Sequence, residues 1–440
     1  MIWLTLRAAW ASDALDAESL ARAVDEILPL VELHAGRRFV TKPQVTLADG
    51  ASFAAVVAEE NRLIYDRVFA ASPEAVRHKL ADDSAWSTQH MVLGKYGILN
   101  DTLYMSPEPL RAAAAQLPGD RLHDVVRVIL AHELTHALQD QHTPFDGLLA
   151  GVRDQDHLWA SSGSWEGFAT WVEQKVAHDL GLDDVFWSVA GLQGWGPDGL
   201  TNPMSFQTWA VYGQGRRFVE HHAAAGPEHL WSVLGKPPQR TGMLFRPADY
   251  TASPPPPPVD FSPALAGAEA KLTSQVEWAS MITTLGDLEL RGEAILGHTE
   301  AELDELMAHL VYAQKLEGTL PDRGVEARIL LFDDEAWPKR YLDLLRAQAS
   351  AEADRKGEAY DVPIEVSYEP YPLPDLAIDD STMRTTRIPI GGGRHLEARA
   401  AWVVRGRVVL VVTAERFRPG LRMNWAIAHL LAGLESVPLP

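Results

Sequence analysis

The run His132-Glu133-Leu134-Thr135-His136 has residue types and spacing that can do chemistry. Residues at i and i+4 share one helix face, so both imidazoles can aim ring nitrogens at one ion. Glu133 stands about 100° around the helix, within reach of a water on that ion. Zinc lowers the pKa of such a water towards about 7, and a carboxylate accepts its proton as the water attacks a carbonyl. The chain has no cysteine, so a transition-metal site must be built from His, Asp and Glu. The bland alternative is a helix that happens to carry two of the chain's 16 histidines. Against it, Val125, Val126, Val128, Ile129, Leu130, Leu134, Ala137 and Leu138 make the helix apolar nearly all round, hence buried. Two buried histidines need partners, and a metal satisfies both.

Extended through Ala137-Leu138-Gln139-Asp140-Gln141-His142, the run resembles gluzincins, the thermolysin-like clan of zinc metallopeptidases. It is especially similar to a bacterial group with this helix. The resemblance implies a zincin-like fold, bound Zn2+, peptide-bond hydrolysis with Glu133 as general base, and a third ligand from a Glu on a downstream helix. Trp165-Glu166-Gly167-Phe168-Ala169-Thr170 matches the group's Glu-Gly-x-Ala-Thr pattern, so the resemblance assigns Glu166 that role. It also implies that substrate adds to an exposed strand edge beside the metal helix, with Gly97 to Met105 as the strand. An endopeptidase is expected rather than an exopeptidase. Pro237 to Tyr250 looks like a further segment of the group, with Arg246 where relatives tend to have His. The resemblance spans roughly residues 30–250.

Two alternatives stay open. His142 follows His136 by six residues, the metzincin spacing for a third His ligand, with Met204 as a Met-turn candidate. That pattern needs a Gly where this chain has Gln139, and Gln139 favours a helix that carries His142 away. The other alternative is a zinc-binding, peptidase-like scaffold without hydrolysis.

The elements that must position these residues are read from periodicity. A helix is predicted over Arg121 to Gln141, and another over Ser164 to Leu180 with Ser162 or Ser164 as N-cap. Gly167 would let the second approach the first closely. Asp140 and Thr170 are candidate acceptors for the far ring nitrogens of the histidines. Tyr212 is the first choice for a transition-state donor, ahead of Tyr250, His221 and His222. Upstream, a helix is predicted from Asp16 to Leu33, broken near Pro29. An extended segment comes next over Phe39 to Leu47, then a helix over Ala51 to Phe69, and a strand over Gly97 to Met105 bent at Asn100-Asp101.

The run Pro254 to Pro258 is polyproline II and marks a boundary. The fold class is α+β. Residues 1–252 are expected to form the zincin-like metallopeptidase domain, with the HExxH helix, that the resemblance implies. Residues 253–272 form a Pro-rich linker, and residues 273–440 an α+β accessory domain. In the last, Glu300 to Gln314 reads as helix, Ala327 to Phe332 as strand, Trp337 to Asp354 as helix, three strands lie between Arg384 and Thr413, and Leu421 to Leu434 closes as helix. Gly391 to Gly393 precedes no helix and reads as a turn.

The whole chain, 440 residues with a formal charge of −21, repels nucleic-acid backbones and anionic membranes, so neither is an expected partner; the resemblance implies a peptide or protein substrate. No apolar run is long enough for an integral membrane segment. Met1 to Arg7 makes a poor signal peptide, while the lack of cysteine fits an exported or cell-envelope protein; the compartment is left open.

Overall fold

Asp16 opens the first helix by a reciprocal cap. Its carboxylate accepts the Ser19 amide, and the Ser19 hydroxyl accepts the Asp16 amide. The helix, Ala17–Ala35, runs through Pro29, where the sequence predicts a break, and ends at Gly36 in the left-handed conformation. Ile27 and Val31, on either side of the proline, are fully buried. That continuous apolar stripe outweighs the hydrogen bond the proline forfeits. The computed structural model describes residues 15–70, 72, 74–88, 92–195, 203–252, 259–265, 279–294, 298–320, 323–390, 392–415, 420–435 and 437. Met1 to Arg7 and the proline run 254–258 lie outside the described residues.

A small sheet comes next. Strand β1 (Gln44–Leu47) pairs in parallel with β3 (Thr102–Met105), and β3 pairs antiparallel with β2 (Gly94–Gly97), in the order β1-β3-β2. The segment read as one bent strand over Gly97 to Met105 is therefore a hairpin. Asn100-Asp101 supplies the turn, with Asp101 at φ 52, a conformation Asp tolerates better than most residues. The open edge beside the site belongs to β2, because β3 is paired on both sides. Helices Gly50–Val68 and Glu74–Thr88 lie between β1 and β2 in the chain.

Leu103 and Met105 of β3 are fully buried in the main core with the motif helix, Leu122–His142. The return helix, Gln155–Asp179, packs Phe168, Val172 and Val176 into the same core. It starts nine residues earlier than predicted, since Asp154 caps it by accepting the His157 amide. The segment Pro203–Ala223 is helical throughout, with a π-helical stretch at Ala210–Gln214.

Beyond residue 279 the chain forms an antiparallel seven-stranded sheet. Its strands are β4 (Ala279–Thr284), β5 (Leu310–Leu320), β6 (Arg323–Phe332), β7 (Glu365–Pro370), β8 (Asp380–Pro389), β9 (His395–Arg405) and β10 (Val408–Glu415), ordered β4-β5-β6-β10-β9-β8-β7. Alternation along β10 serves two cores. Val409 and Val411 face helix Trp337–Tyr360, while Leu410 and Val412 face helix Gly420–Leu434. The helix expected over Glu300 to Gln314 ends at His309, because Tyr312 and Leu316 are recruited into β5. Helix Asp287–Ala294 docks on the N-terminal half. There the Thr241 hydroxyl accepts the Leu288 amide, and Arg246 pairs with Asp287 at 3.0 Å. The protein is a mixed α+β chain, and no described helix is long and apolar enough to cross a membrane.

Candidate metal centre

The motif helix is buried without interruption from Val128 to Gln139, as an all-round apolar helix must be. His132 and His136 project from one face towards the return helix, which supplies Glu166 from its middle. His132 Nε2 lies 3.0 Å from Glu166 Oε2, His136 Nε2 lies 3.2 Å from the same oxygen, and the two Nε2 atoms stand 3.1 Å apart. These three residues form a group whose donor atoms lie within 4.8 Å of one another. Glu166 is not a first-turn charge at a helix N-terminus, because the helix begins at Gln155. The Ser162 and Ser164 cap positions fall inside the helix for the same reason.

The far nitrogens fix the ring orientation. His132 Nδ1 donates to Glu173 Oε2 at 2.9 Å, and His136 Nδ1 donates to Gln139 Oε1 at 3.0 Å. With both Nδ1 atoms acting as donors, both Nε2 atoms present lone pairs inward. Three lone-pair donors within about 3 Å repel unless a cation sits among them. In the metal-free chain that cation is a proton. Burial would depress the His132 imidazolium, but Glu166 and Glu173 outweigh it and hold its pKa well above the usual histidine range. Burial would likewise raise the Glu166 carboxyl, yet His136 and His132 hold it well below the usual carboxylate range. A divalent ion answers the same demand. Ligands about 2.0–2.1 Å from a tetrahedral ion stand about 3.3 Å apart, close to the spacing here, and two imidazoles with a carboxylate are a zinc donor set.

Neither Asp140 nor Thr170, the acceptors expected from sequence, receives a hydrogen bond from the histidines. Asp140 accepts the Tyr96 hydroxyl at 2.8 Å and the Phe145 amide at 2.6 Å. The Thr170 hydroxyl is buried without a hydrogen-bond partner. Neither Glu173, two turns along the face that carries Glu166, nor Gln139, one turn after His136, stands out in the sequence as their partner; helical spacing is the one signal they carry. His142 Nε2 donates to the Arg38 carbonyl, 2.9 Å away, outside the cluster. The helix does continue through Gln139, so the third-histidine geometry is absent. The side chain of Met204 lies outside the described residues.

Glu133 faces β2, where its Oε2 accepts the Tyr96 amide at 2.7 Å. Gly94 makes this approach possible: a Cβ there would stand 2.9 Å from Ile129 Cγ2 and 3.1 Å from Glu133 Cγ. Tyr212 lies on the other side of the triad, its ring centroid 5.9 Å from that of His132, with Trp195 stacked behind it at 5.8 Å. Burial, then the fields of Glu166, Glu133 and Glu173, push its hydroxyl well above the usual tyrosine range, so it stays protonated and able to donate. The other donor candidates are elsewhere. Tyr250 donates to the Lys236 carbonyl, and His222 packs against His221 and His229. Arg246 is committed to Asp249 and Asp287, each at 3.0 Å.

Gly167 does not serve the contact between motif and return helices that the sequence suggests. A Cβ there would stand 2.2 Å from Gly215 C, and one at Gly215 would stand 2.0 Å from the Gly163 carbonyl oxygen. The glycines instead admit the Ala210–Ala223 segment, which brings Tyr212 to the triad.

No family model matches the sequence, and no curated protein matches it. Among solved structures, the chain is similar to a Chloroflexus aurantiacus protein of novel fold, described provisionally as a hydrolase. That likeness has 18% identity over 55% of this chain and 93% of that chain, with a TM-score of 0.36. It is also similar to the extracellular domain of PknH from Mycobacterium tuberculosis, with 11% identity over 39% of this chain and 90% of that chain, and a TM-score of 0.24.

Proposed function

We propose that this chain is a zinc-dependent metallopeptidase of the gluzincin type, with a zincin-like unit in residues 1–252 and an accessory α+β unit in residues 273–440. The observation that carries the reading is the convergence of His132 Nε2, His136 Nε2 and Glu166 Oε2 on one point, with a carboxylate, Glu133, fixed beside it. His132, His136 and Glu166 would hold the metal. Bound there, zinc would polarise a peptide carbonyl and acidify the water that attacks it. Glu133 accepts the proton of that water and passes it to the leaving amine as the C–N bond breaks. The Tyr96 amide keeps Glu133 aimed, and the Tyr212 hydroxyl donates to the carbonyl oxygen as charge develops there.

Two measurements test this together. Elemental mass spectrometry of chelator-free protein is expected to find about one zinc per chain. Glu133→Gln is expected to keep that zinc while peptide cleavage falls by about 10²–10⁴-fold. Zinc-free protein, even after zinc is added back, or a fully active Glu133→Gln variant, rejects the assignment.

A further inference from the structure

Strand β2 has a strand neighbour on one side only. Its outer edge points its main-chain groups towards the metal centre, and such an edge is where an extended peptide adds. Side chains already fill it. The Tyr96 amide donates to Glu133, the Tyr96 carbonyl accepts from Lys95 Nζ at 3.4 Å, and the Ile98 amide donates to Glu60 Oε1 at 2.7 Å. The second oxygen of Glu60 pairs with Lys95 Nζ at 2.7 Å.

Glu60 is 4% exposed and belongs to helix Gly50–Val68. With helix Glu74–Thr88 it forms a pair whose own small core, Phe53, Val57 and Ala85, is separate from the main one. Taking the Glu60 carboxylate out of water costs several kcal/mol before its pairing with Lys95, whose side chain is 26% exposed, returns any of it, so this pair is a poor way merely to fasten a helix. Its chemistry has another fit. A carboxylate accepting an N–H and an ammonium donating to a C=O reproduce what a neighbouring strand would present at Ile98 and Tyr96.

We propose that the Glu60–Lys95 pair is a latch that holds the helix pair over the β2 edge, and that substrate enters as an extended backbone which displaces it. The latch rests on the metallopeptidase reading for its purpose.

The test uses full-length, zinc-loaded Glu133→Gln protein, so that peptide is bound without being consumed. The probe is fluorescein-labelled oxidised insulin B chain, monitored by anisotropy. Adding Glu60→Ala with Lys95→Met removes both charges and leaves no unpaired ion. We expect the probe to bind about ten-fold tighter, the equivalent of one charge-assisted hydrogen bond no longer displaced. We also expect the Ile98 amide to lose exchange protection in this variant and regain it with peptide. Binding that is unchanged or weaker overturns the latch, as does unchanged Ile98 protection. Should the double variant fold poorly, Glu60→Gln keeps the shape and drops the charge; it is expected to tighten binding by a smaller factor, and no gain overturns the latch. Failure of the parent reading shows separately, as absence of zinc from the wild-type chain.

Discussion

At the scale of the residue, the centre depends on which nitrogen of each histidine is free. Glu173 and Gln139 decide this, one for each ring. Glu173 is 2% exposed, and burial pushes its carboxyl up against the pull of His132. Its hydrogen bond therefore holds the proton on Nδ1 and the lone pair on Nε2. Glu173→Gln keeps an acceptor but gives up the charge that raises ring basicity. Zinc affinity is expected to fall by about 10–100-fold, read by competition with a chromophoric chelator, with the far-UV spectrum unchanged. Affinity equal to wild type would show that Glu173 only fills space. His132, Glu133 and His136 stand out in the sequence because three chemical types at helical spacing are rarely accidental. Glu173 does not, since a carboxylate seven residues after another reads equally well as a solvated helix face.

At the scale of the element, two helices meet where side chains are missing. A Cβ at Gly167 would meet the backbone of Gly215, one at Gly215 the backbone of Gly163, and one at Gly163 the side chain of Leu244. Gly167→Ala would force a methyl into the Gly215 carbonyl carbon, which cannot rotate away. A loss of about 1–3 kcal/mol in urea denaturation is expected, as for other overpacked sites. Wild-type stability would mean the helices part without cost. The sequence suggests a close approach at Gly167 but not its partner, because a glycine gives no sign of what comes near it. Helix bodies were more legible than their ends. The motif helix, predicted over Arg121 to Gln141, spans Leu122–His142. The β2–β3 hairpin was missed because Gly94-Lys95-Tyr96-Gly97 lacks the alternation that marks a strand: Gly94 serves close packing on the motif helix, and Gly97 lies against Asn100, Thr102 and Tyr104 of its own hairpin.

At the scale of the whole molecule, carboxyls line the seam between the two halves. Asp156 is 2% exposed, beneath Thr241 and Arg240, and touches the backbone of Gly286. Glu289 lies close by, with Oε1 enclosed and unbonded. Desolvation, and then the charge of Asp156, pushes Glu289 up to about 8; desolvation, against Arg240 and Thr241, pushes Asp156 up to about 6. Both folded values exceed the ordinary 4.5 and 3.8. The unfolded chain therefore releases these protons at lower pH than the folded one. Stability from this pair is full below about pH 4, declines as pH rises through 6 and 8, and levels off above. The thermal midpoint is expected to drop between about pH 4 and pH 8, and Glu289→Gln is expected to flatten that drop, most of all between about pH 6 and pH 8. An identical slope in the variant would place the pH dependence elsewhere. Nothing in the sequence flags this seam, since Asp156 and Glu289 are distant in the chain and ordinary in type.

The π-helical stretch at Ala210–Gln214 has a consequence for how this chain can vary in length. A π turn holds about one residue more than an α turn, so it resets the phase between the helix before it and the helix after it. Phe206 and Val211 must meet Leu288 on one side, and Gly215 must meet Gly163 on the other. The wide turn and an ordinary turn both sweep a full circle, so deleting one residue within the stretch would regularise the helix and leave the face beyond it nearly unchanged. The same deletion in the α turns before it would rotate Gly215 by about 100° away from Gly163. A change of one residue in length is thus absorbed at this stretch and not beside it, although a comparison by length alone would see a single unbroken helix.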